Sequence, residues 1–525
     1  MKPLSATARI VDLGAIDDPI AQQALAYCRK QTESVVLVGG SVRDLLLGRE
    51  THDLDLVLPN RALALAKRVA DALGGAFVAM DAERDVGRVV LPSPARSPTI
   101  IDVAAWRAGS LDEDLLLRDF TINALAVPLA EGSPVIDVAG GLTDLDQRLL
   151  RMTSAHSFED DPLRMLRAVR LLAELAPWGF RLDADTAEQV RLQASALASC
   201  SAERIRDELV RILACERPDT WLRLLEDLAL LPIVLPELDA LRGVSQSYPH
   251  RWDVFEHTIR TVAHVAWIQA WLNEAVTPTA AGDTSVCEVL SPYRNRLAAH
   301  FAQGEGDWLR SRSHLLRWAA LCHDWGKPET RSVMHQDGDV APYIQFIGHE
   351  QRGAELTQLA LRQLRFNEVA VRRTSAIVAH HMRPLLLANE DQPLSARAVF
   401  RYYRDLDDAG VDVALLSLSD LSATGGIEPG SDVWQRVMSV TTRLLHDYFD
   451  RLTEAVAPPA LVDGNDLMTA LRLPPGRLVG QLLLAIAEAQ AADEVHSAQE
   501  ALDYAALLAA QSTEQHNQAA RQVVS

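Results

Sequence analysis

Two aspartates with one residue between them, Asp53 and Asp55, lie in the run DLDLVL, which alternates polar and apolar residues at its start. Alternate side chains of a strand share a face, so these carboxylates point to the same side, about 6–7 Å apart along the backbone, while Leu54 and Leu56 point to the other. A pair so placed can share hard cations. Mg²⁺ favours a few carboxylates plus phosphate oxygens, and paired ions can stabilise the attacking and leaving oxygens of an in-line displacement. Upstream, Gly39-Gly40 offers a side-chain-free turn at a helix start, where backbone N–H groups can approach a phosphate, and Arg43, one turn in, adds charge. Triphosphate cradle and cation clamp are therefore one short loop apart.

The elements that must carry these groups follow from the flanking pattern. An apolar strand from Val35 enters the Gly39-Gly40 turn, a short helix spans 41–47, Gly48 stops it, and a second strand runs to Leu58. A helix over 19–30 precedes them, and another over 61–73 ends at Gly74-Gly75. Strand-like runs follow at 76–80, 86–91 and 99–104. Mixed strands with flanking helices define an α+β head over residues 1–152.

GGSVRDLLLG followed by DLDLVL resembles the nucleotidyltransferase superfamily, and within it the class II branch of CCA-adding tRNA nucleotidyltransferases and bacterial poly(A) polymerases. The resemblance implies that Asp53 and Asp55 hold catalytic Mg²⁺ and that Gly39, Gly40 and Arg43 orient the β- and γ-phosphates. Asp102 lies where the superfamily often places a third carboxylate; a strand-end aspartate bonding nearby backbone explains it equally well. The run LRDFTINA, 117–124, resembles the class II motif RRDFTINA, which implies that Arg118, Asp119 and Asn123 serve the nucleotide site and the hinge beyond it. The bland alternative has Asp119 or Thr121 capping a helix and Phe120 and Ile122 filling core. Leu117 departs from the family's first arginine.

From Ser157 the pattern is helical and stays so, a neck and body over 153–245. Arg164, Arg167 and Arg170 recur at i, i+3 and i+6 on about one face, a stripe that is ordinarily solvated. Asp161, three residues before Arg164, allows carboxylate and guanidinium to be held side by side as a donor–acceptor pair fit for the Watson–Crick edge of a base. Asp160-Asp161-Pro162-Leu163-Arg164 resembles the class II motif EDxxR. The resemblance implies that Asp161 and Arg164 select incoming C or A without a nucleic-acid template, with Arg167 near the nucleotide.

A second set of chemistry comprises His257, His323, Asp324, His349, His380, His381 and Asp420. Imidazole nitrogen and carboxylate oxygen together suit borderline divalent metals such as Mn, Ni or Fe. The order resembles an HD phosphohydrolase domain over 246–450, which implies a core quartet of His257, His323, Asp324 and Asp420, with His349 and one of His380 or His381 as further ligands. Lys327 follows at that family's usual place. Residues 273–313 read as an inserted surface excursion. The last segment, 451–525, resembles a helical module associated with tRNA, and Gly480 in it is expected to permit close backbone approach.

Composition bounds these readings. The net charge of −20 excludes a surface coated for nucleic-acid binding but not a local basic groove. Five scattered cysteines without a CxxC pair fit buried thiols of a reducing compartment, and no apolar run approaches the ~20 residues of a membrane span. The expectation is a cytoplasmic α+β protein with all-α neck, body, HD and tail regions, binding tRNA and no membrane. It would add CCA from CTP and ATP, with HD phosphohydrolysis in addition. Alternatives are a poly(A) polymerase, a partial CC- or A-adding enzyme, and an HD phosphohydrolase whose head only binds RNA.

Overall fold

A computed structural model describes residues 9–31, 34–51, 53–93, 98–304, 311–334, 343–390 and 392–523, with side chains to residue 511. The chain divides into two compact units, Met1–Glu208 with Leu224–Ile233, and Leu209–Arg223 with Val234–Ser525.

In the first unit, helix α1 (Pro19–Gln31) leads into β1 (Val36–Val38), α2 (Gly40–Leu46), β2 (Asp53–Leu58) and α3 (Ala62–Leu73). Strands β3 (Ala76–Asp81), β4 (Val86–Leu91) and β5 (Thr99–Ala105) follow. After α4 (Leu111–Leu116) and a 3₁₀ turn at Thr121–Asn123 come β6 (Leu125–Pro128) and β7 (Ile136–Asp137). The elements expected from spacing all form, α2 and α3 within a residue of the expected bounds. They make a seven-stranded sheet of order β3-β4-β5-β2-β1-β6-β7. Within this sheet β2 and β5 run parallel and every other neighbouring pair antiparallel. A parallel pair needs a crossover, and α3 with the β3–β4 hairpin supplies it.

Leu54 and Leu56 join α1 and α3 in the main core, whereas Val57 packs with Val36, Val38 and Leu115 on the opposite face. Strand alternation places Asp53 and Asp55 on the Val57 face, the side of α4 and the 3₁₀ turn. The register sets Asp55 opposite Val38 on one side and opposite Asp102 on the other.

The helix expected to run on from Ser157 is broken. After α5 (Gly141–Asp146), helix α6 (Ser157–Asp160) stops at Asp161, which is extended (φ −152°, ψ 98°), and α7 starts anew at Arg164–Glu174. Pro162 drives the residue before it out of the helical region. That break decides where Asp161 points.

The second unit is helical. Helix Val254–Leu272 packs against Arg312–Cys322 and Ala409–Ala423, and His349–Gln363 pairs with Glu368–His380. The segment expected as a surface excursion is instead built into this unit. It forms helices Ala281–Leu290 and Arg294–Ala302 and buries Val286, Leu290, Tyr293, Leu297 and Phe301. Trp434 donates to Ser285 Oγ (3.1 Å) and Tyr293 to Asp450 (3.2 Å). Apolar spacing within the segment outweighs its Ala/Thr/Gly/Pro content; residues 305–310 lie outside the described residues. At the C-terminal end, Gly464–Leu471, Arg477–Ala491 and Ala498–Val523 share a core, and Glu488 anchors them to Arg401 and Arg404. A Cβ at Gly480 would meet nothing within 4 Å, so the close approach expected there does not occur.

Candidate functional site

Gly39 starts the head site. Its φ of 73° is a conformation that favours glycine, and a Cβ there would lie 3.1 Å from Arg118 Nη1 and 3.3 Å from Asp55 Oδ2. Ser41, which sequence reasoning passed over, latches α2 to β2 by donating to the Asp53 carbonyl (2.9 Å) and accepting from the Asp55 N–H (3.2 Å). Asp55 is thereby held beside Asp53, Asp102 and Arg118. Burial pushes its carboxyl up to about 6, Arg118 opposes that, and Asp102 and Asp53 add to it. A carboxylate under that load fits a cation. Arg118 is kept in place by buried Asp114 (3.5 Å), and burial lowers its proton affinity.

The other expected residues form one chain of bonds across the unit. Arg43 donates to Asn123 Oδ1 (2.7 Å), Asn123 Nδ2 to Asp119 Oδ1 (3.1 Å), and Arg167 pairs with Asp119 Oδ2 (3.0 Å). Burial raises the Asp119 carboxyl, but Arg167, Asn123 and the Phe120 N–H outweigh burial and hold it below its ordinary range. Neither Asp119 nor Thr121 caps a helix: Thr121 donates to Asp144 (2.7 Å).

Asp161 and Arg164 are not bonded to each other as expected. Asp161 Oδ2 takes Arg204 (2.7 Å), and Arg164 is buried, donating to the Leu117 carbonyl (2.8 Å) and to Ser157. The break before Pro162 turns Asp161 out of the helical register that spacing assumed. Nor is the arginine stripe solvated, since Arg170 is buried between Glu174 and Glu208. Leu117 serves Arg164 through its backbone, so the side-chain departure leaves this contact intact. Asp102 is brought to Asp55, yet both its oxygens are held by Arg88 at 2.8 Å.

In the helical unit two trios converge, His257 with His323 and Asp324, and Asp324 with His349 and His381, their ligand atoms within 4.8 Å of one another. Asp420 joins at 2.8 Å from His257 Nε2, and Lys327 Nζ lies 2.7 Å from Asp324. His323, His349 and His381 each place Nδ1 2.7–2.8 Å from the carbonyl three residues earlier, which leaves Nε2 to face the cluster. His257 Nε2, His323 Nε2 and both Asp324 oxygens are buried and face one another, Asp420 and Lys327. Imidazole nitrogens and carboxylate oxygens converging in this way fit divalent ions. Burial, with His349 and His323 nearby, pushes His381 down to about 3, so it is a neutral imidazole at neutral pH, able to offer a lone pair to a metal. Of the adjacent pair, His381 enters the cluster and His380 does not; it is half-buried near Arg383. His250, unmarked in the sequence, stands edge-on to His257 at 4.7 Å and lines a cavity of about 460 Å³ with Asp324, Lys327, His349 and Asp420.

A two-carboxylate sheet site beside a glycine turn, with a separate His/Asp cluster among helices, defines a nucleotidyltransferase head in a chain that also carries an HD-type centre. Comparison with known proteins agrees. The Poly A polymerase head domain family matches residues 35–151, "Probable RNA and SrmB- binding site of polymerase A" matches 179–242, and the HD domain matches 254–404, short of Asp420. The chain is 34% identical to the CC-adding tRNA nucleotidyltransferase of Thermus thermophilus over 88% of its length and 91% of the relative's. It is also 34% identical to the A-adding tRNA nucleotidyltransferase of Deinococcus radiodurans over 89% and 93%. The Thermotoga maritima CCA-adding enzyme complexed with tRNA shares the fold at a TM-score of 0.56, 18% identity, covering 96% of this chain and 99% of that one. The chain belongs to the class II family of CCA-adding tRNA nucleotidyltransferases and poly(A) polymerases with a C-terminal HD domain. Among the described residues no helix is long and apolar enough to cross a membrane.

Proposed function

We propose that the head adds the CCA end to tRNA from CTP and ATP without a nucleic-acid template, in the cytoplasm. The observation that carries this is Asp53 and Asp55 on one sheet face beside Gly39 and Arg118. Asp53 and Asp55 would hold a Mg²⁺ ion, which would supply charge for the triphosphate and acidity for the RNA 3′-hydroxyl. The 3′-oxygen attacks the α-phosphorus, and pyrophosphate leaves. Gly39 and Gly40 keep the turn open for the triphosphate. Arg43 and Arg167, fixed at the two ends of the Asn123–Asp119 chain, present charge to it. Catalysis is positioning and charge neutralisation. Base selection falls to Asp161 and Arg164; to meet one base edge together, Asp161 must leave Arg204 and Arg164 the Leu117 carbonyl.

In this reading residues 1–152 are the head, 153–245 neck and body, 246–450 the HD region and 451–525 a tail that meets tRNA. The HD cluster, with Mn, Ni or Fe, would polarise a phosphate ester and acidify water. There Lys327 would place charge beside the ester, and the substrate is a phosphate at an RNA or nucleotide end, tested by metal analysis and hydrolysis of a 2′,3′-cyclic phosphate.

The head is tested by incubation with Mg²⁺ and a tRNA lacking its last three nucleotides, with CTP, ATP or both, and sequencing of the 3′ ends. CCA is the expected product. A second reading, addition of CC or A alone, is favoured by the CC-adding and A-adding names of two near-full-length relatives; arrest at CC, or addition of A only to an end already carrying CC, would establish it. A long A tail would identify a poly(A) polymerase.

A further inference from the structure

Strand register lines up three charged side chains on one face of the head sheet. Arg88 of β4 stands opposite Asp102 of β5, and Asp102 stands opposite Asp55 of β2. Directly opposed residues share a face, with Cβ atoms about 4.5–5.5 Å apart, so the row reads cation, anion, anion. Arg88 closes on Asp102 as a fork, Nε to Oδ1 and Nη2 to Oδ2, both at 2.8 Å. This is the bidentate geometry in which guanidinium and carboxylate bond best. Asp55 faces a different guanidinium, since across Gly39 it lies beside Arg118, whose Nη1 is 3.1 Å and Asp55 Oδ2 3.3 Å from the position a Cβ would take there.

We propose that Arg88 withholds Asp102 from the divalent cation of the head, so that Asp53 and Asp55 alone supply its carboxylates. The inference rests on the assignment of those two residues as metal ligands. For Asp102 to turn to the cation, two charge-assisted bonds must break and Arg88 must be left beside the site unpaired. Two carboxylates suit an ion that arrives with the triphosphate and leaves with pyrophosphate; a third would retain it. Arg88 is a positioning residue in this scheme, and it tunes cation affinity.

The test is Mn²⁺ binding, followed by electron paramagnetic resonance, to the full chain carrying Asp324→Ala to silence the HD cluster. Removing the pair together, Arg88→Gln with Asp102→Asn, takes away one charge of each sign and is expected to leave the affinity within about threefold of the parent. Arg88→Gln alone frees Asp102 and is expected to tighten binding by more than about threefold. Arg88→Lys, which keeps the charge but not the fork, is expected to tighten it less and stands in should Arg88→Gln not fold. A loss greater than threefold in the double variant would show that Asp102 is itself a ligand and overturn the proposal. So would an Arg88→Gln or Arg88→Lys affinity no tighter than the parent's. If Mn²⁺ stays bound after Asp53→Ala plus Asp55→Ala, the ligand assignment fails and takes this inference with it.

Discussion

In the head, the two carboxylates share one six-residue strand and their neighbours are charged; in the helical unit, imidazoles and carboxylates come from three helices and from the turns that end two others, between Val254 and Ala423, and converge in a buried cluster. The first site is local in sequence and its electrostatics are balanced by guanidinium groups. The second is non-local, and three of its histidines, His323, His349 and His381, are oriented by backbone carbonyls. A charged site on a sheet is tuned by whichever side chains register brings alongside, whereas a buried cluster of imidazoles and carboxylates depends on helix packing to within a fraction of an ångström.

The largest effects should separate the two sites. Asp53→Ala plus Asp55→Ala is expected to lower nucleotide addition by more than about a thousandfold and to leave hydrolysis of a 2′,3′-cyclic phosphate unchanged. Asp324→Ala should do the reverse, with loss of bound transition metal by elemental analysis. If either variant crippled both reactions, the independence of the sites would be lost.

Next comes Gly39→Ala. Its Cβ strains a positive φ and presses on Arg118 and Asp55, so addition should fall at least about tenfold, at a stability cost of about 1–3 kcal/mol read by thermal unfolding.

Asp55 gives the head a pH signature of its own. Its folded value of about 6, set by burial against Arg118 and raised further by Asp102 and Asp53, lies above the unfolded ~3.9. A carboxyl whose value rises on folding costs nothing below its unfolded pKa, and its cost grows between pH ~4 and 6 and is complete above. Asp55→Asn should therefore raise the midpoint of head unfolding in metal-free buffer by about 2–4 °C at pH 7.5. The gain should vanish as pH falls to 4; a pH-independent gain would reassign it to packing. The smallest effect is a contrast within one dipeptide: His381→Ala should strip metal from the helical cluster, and His380→Ala should leave metal content within error.

Much of the head was legible because its signals are short-range. Gly39-Gly40 before a helix and the alternation of DLDLVL set the turn, the strand and the shared face of Asp53 and Asp55. The break at Asp161 was legible too, in Pro162, but the arginine spacing pulled the reading toward a continuous helix. The segment 273–313 misled through composition, although its apolar residues carry a helical period that packs.

Residue types and their order thus determined which chemistry this protein can hold: carboxylates on a strand beside a glycine turn, and a His/Asp series matched to divalent metals. Pairing was decided by the tertiary structure. Arg88 meets Asp102 because β4 and β5 align in one register, Arg164 meets the Leu117 carbonyl, and His381 rather than His380 faces His349. Such choices depend on contacts between residues far apart in the chain, whose distances are set by packing of whole elements and leave no local pattern to read.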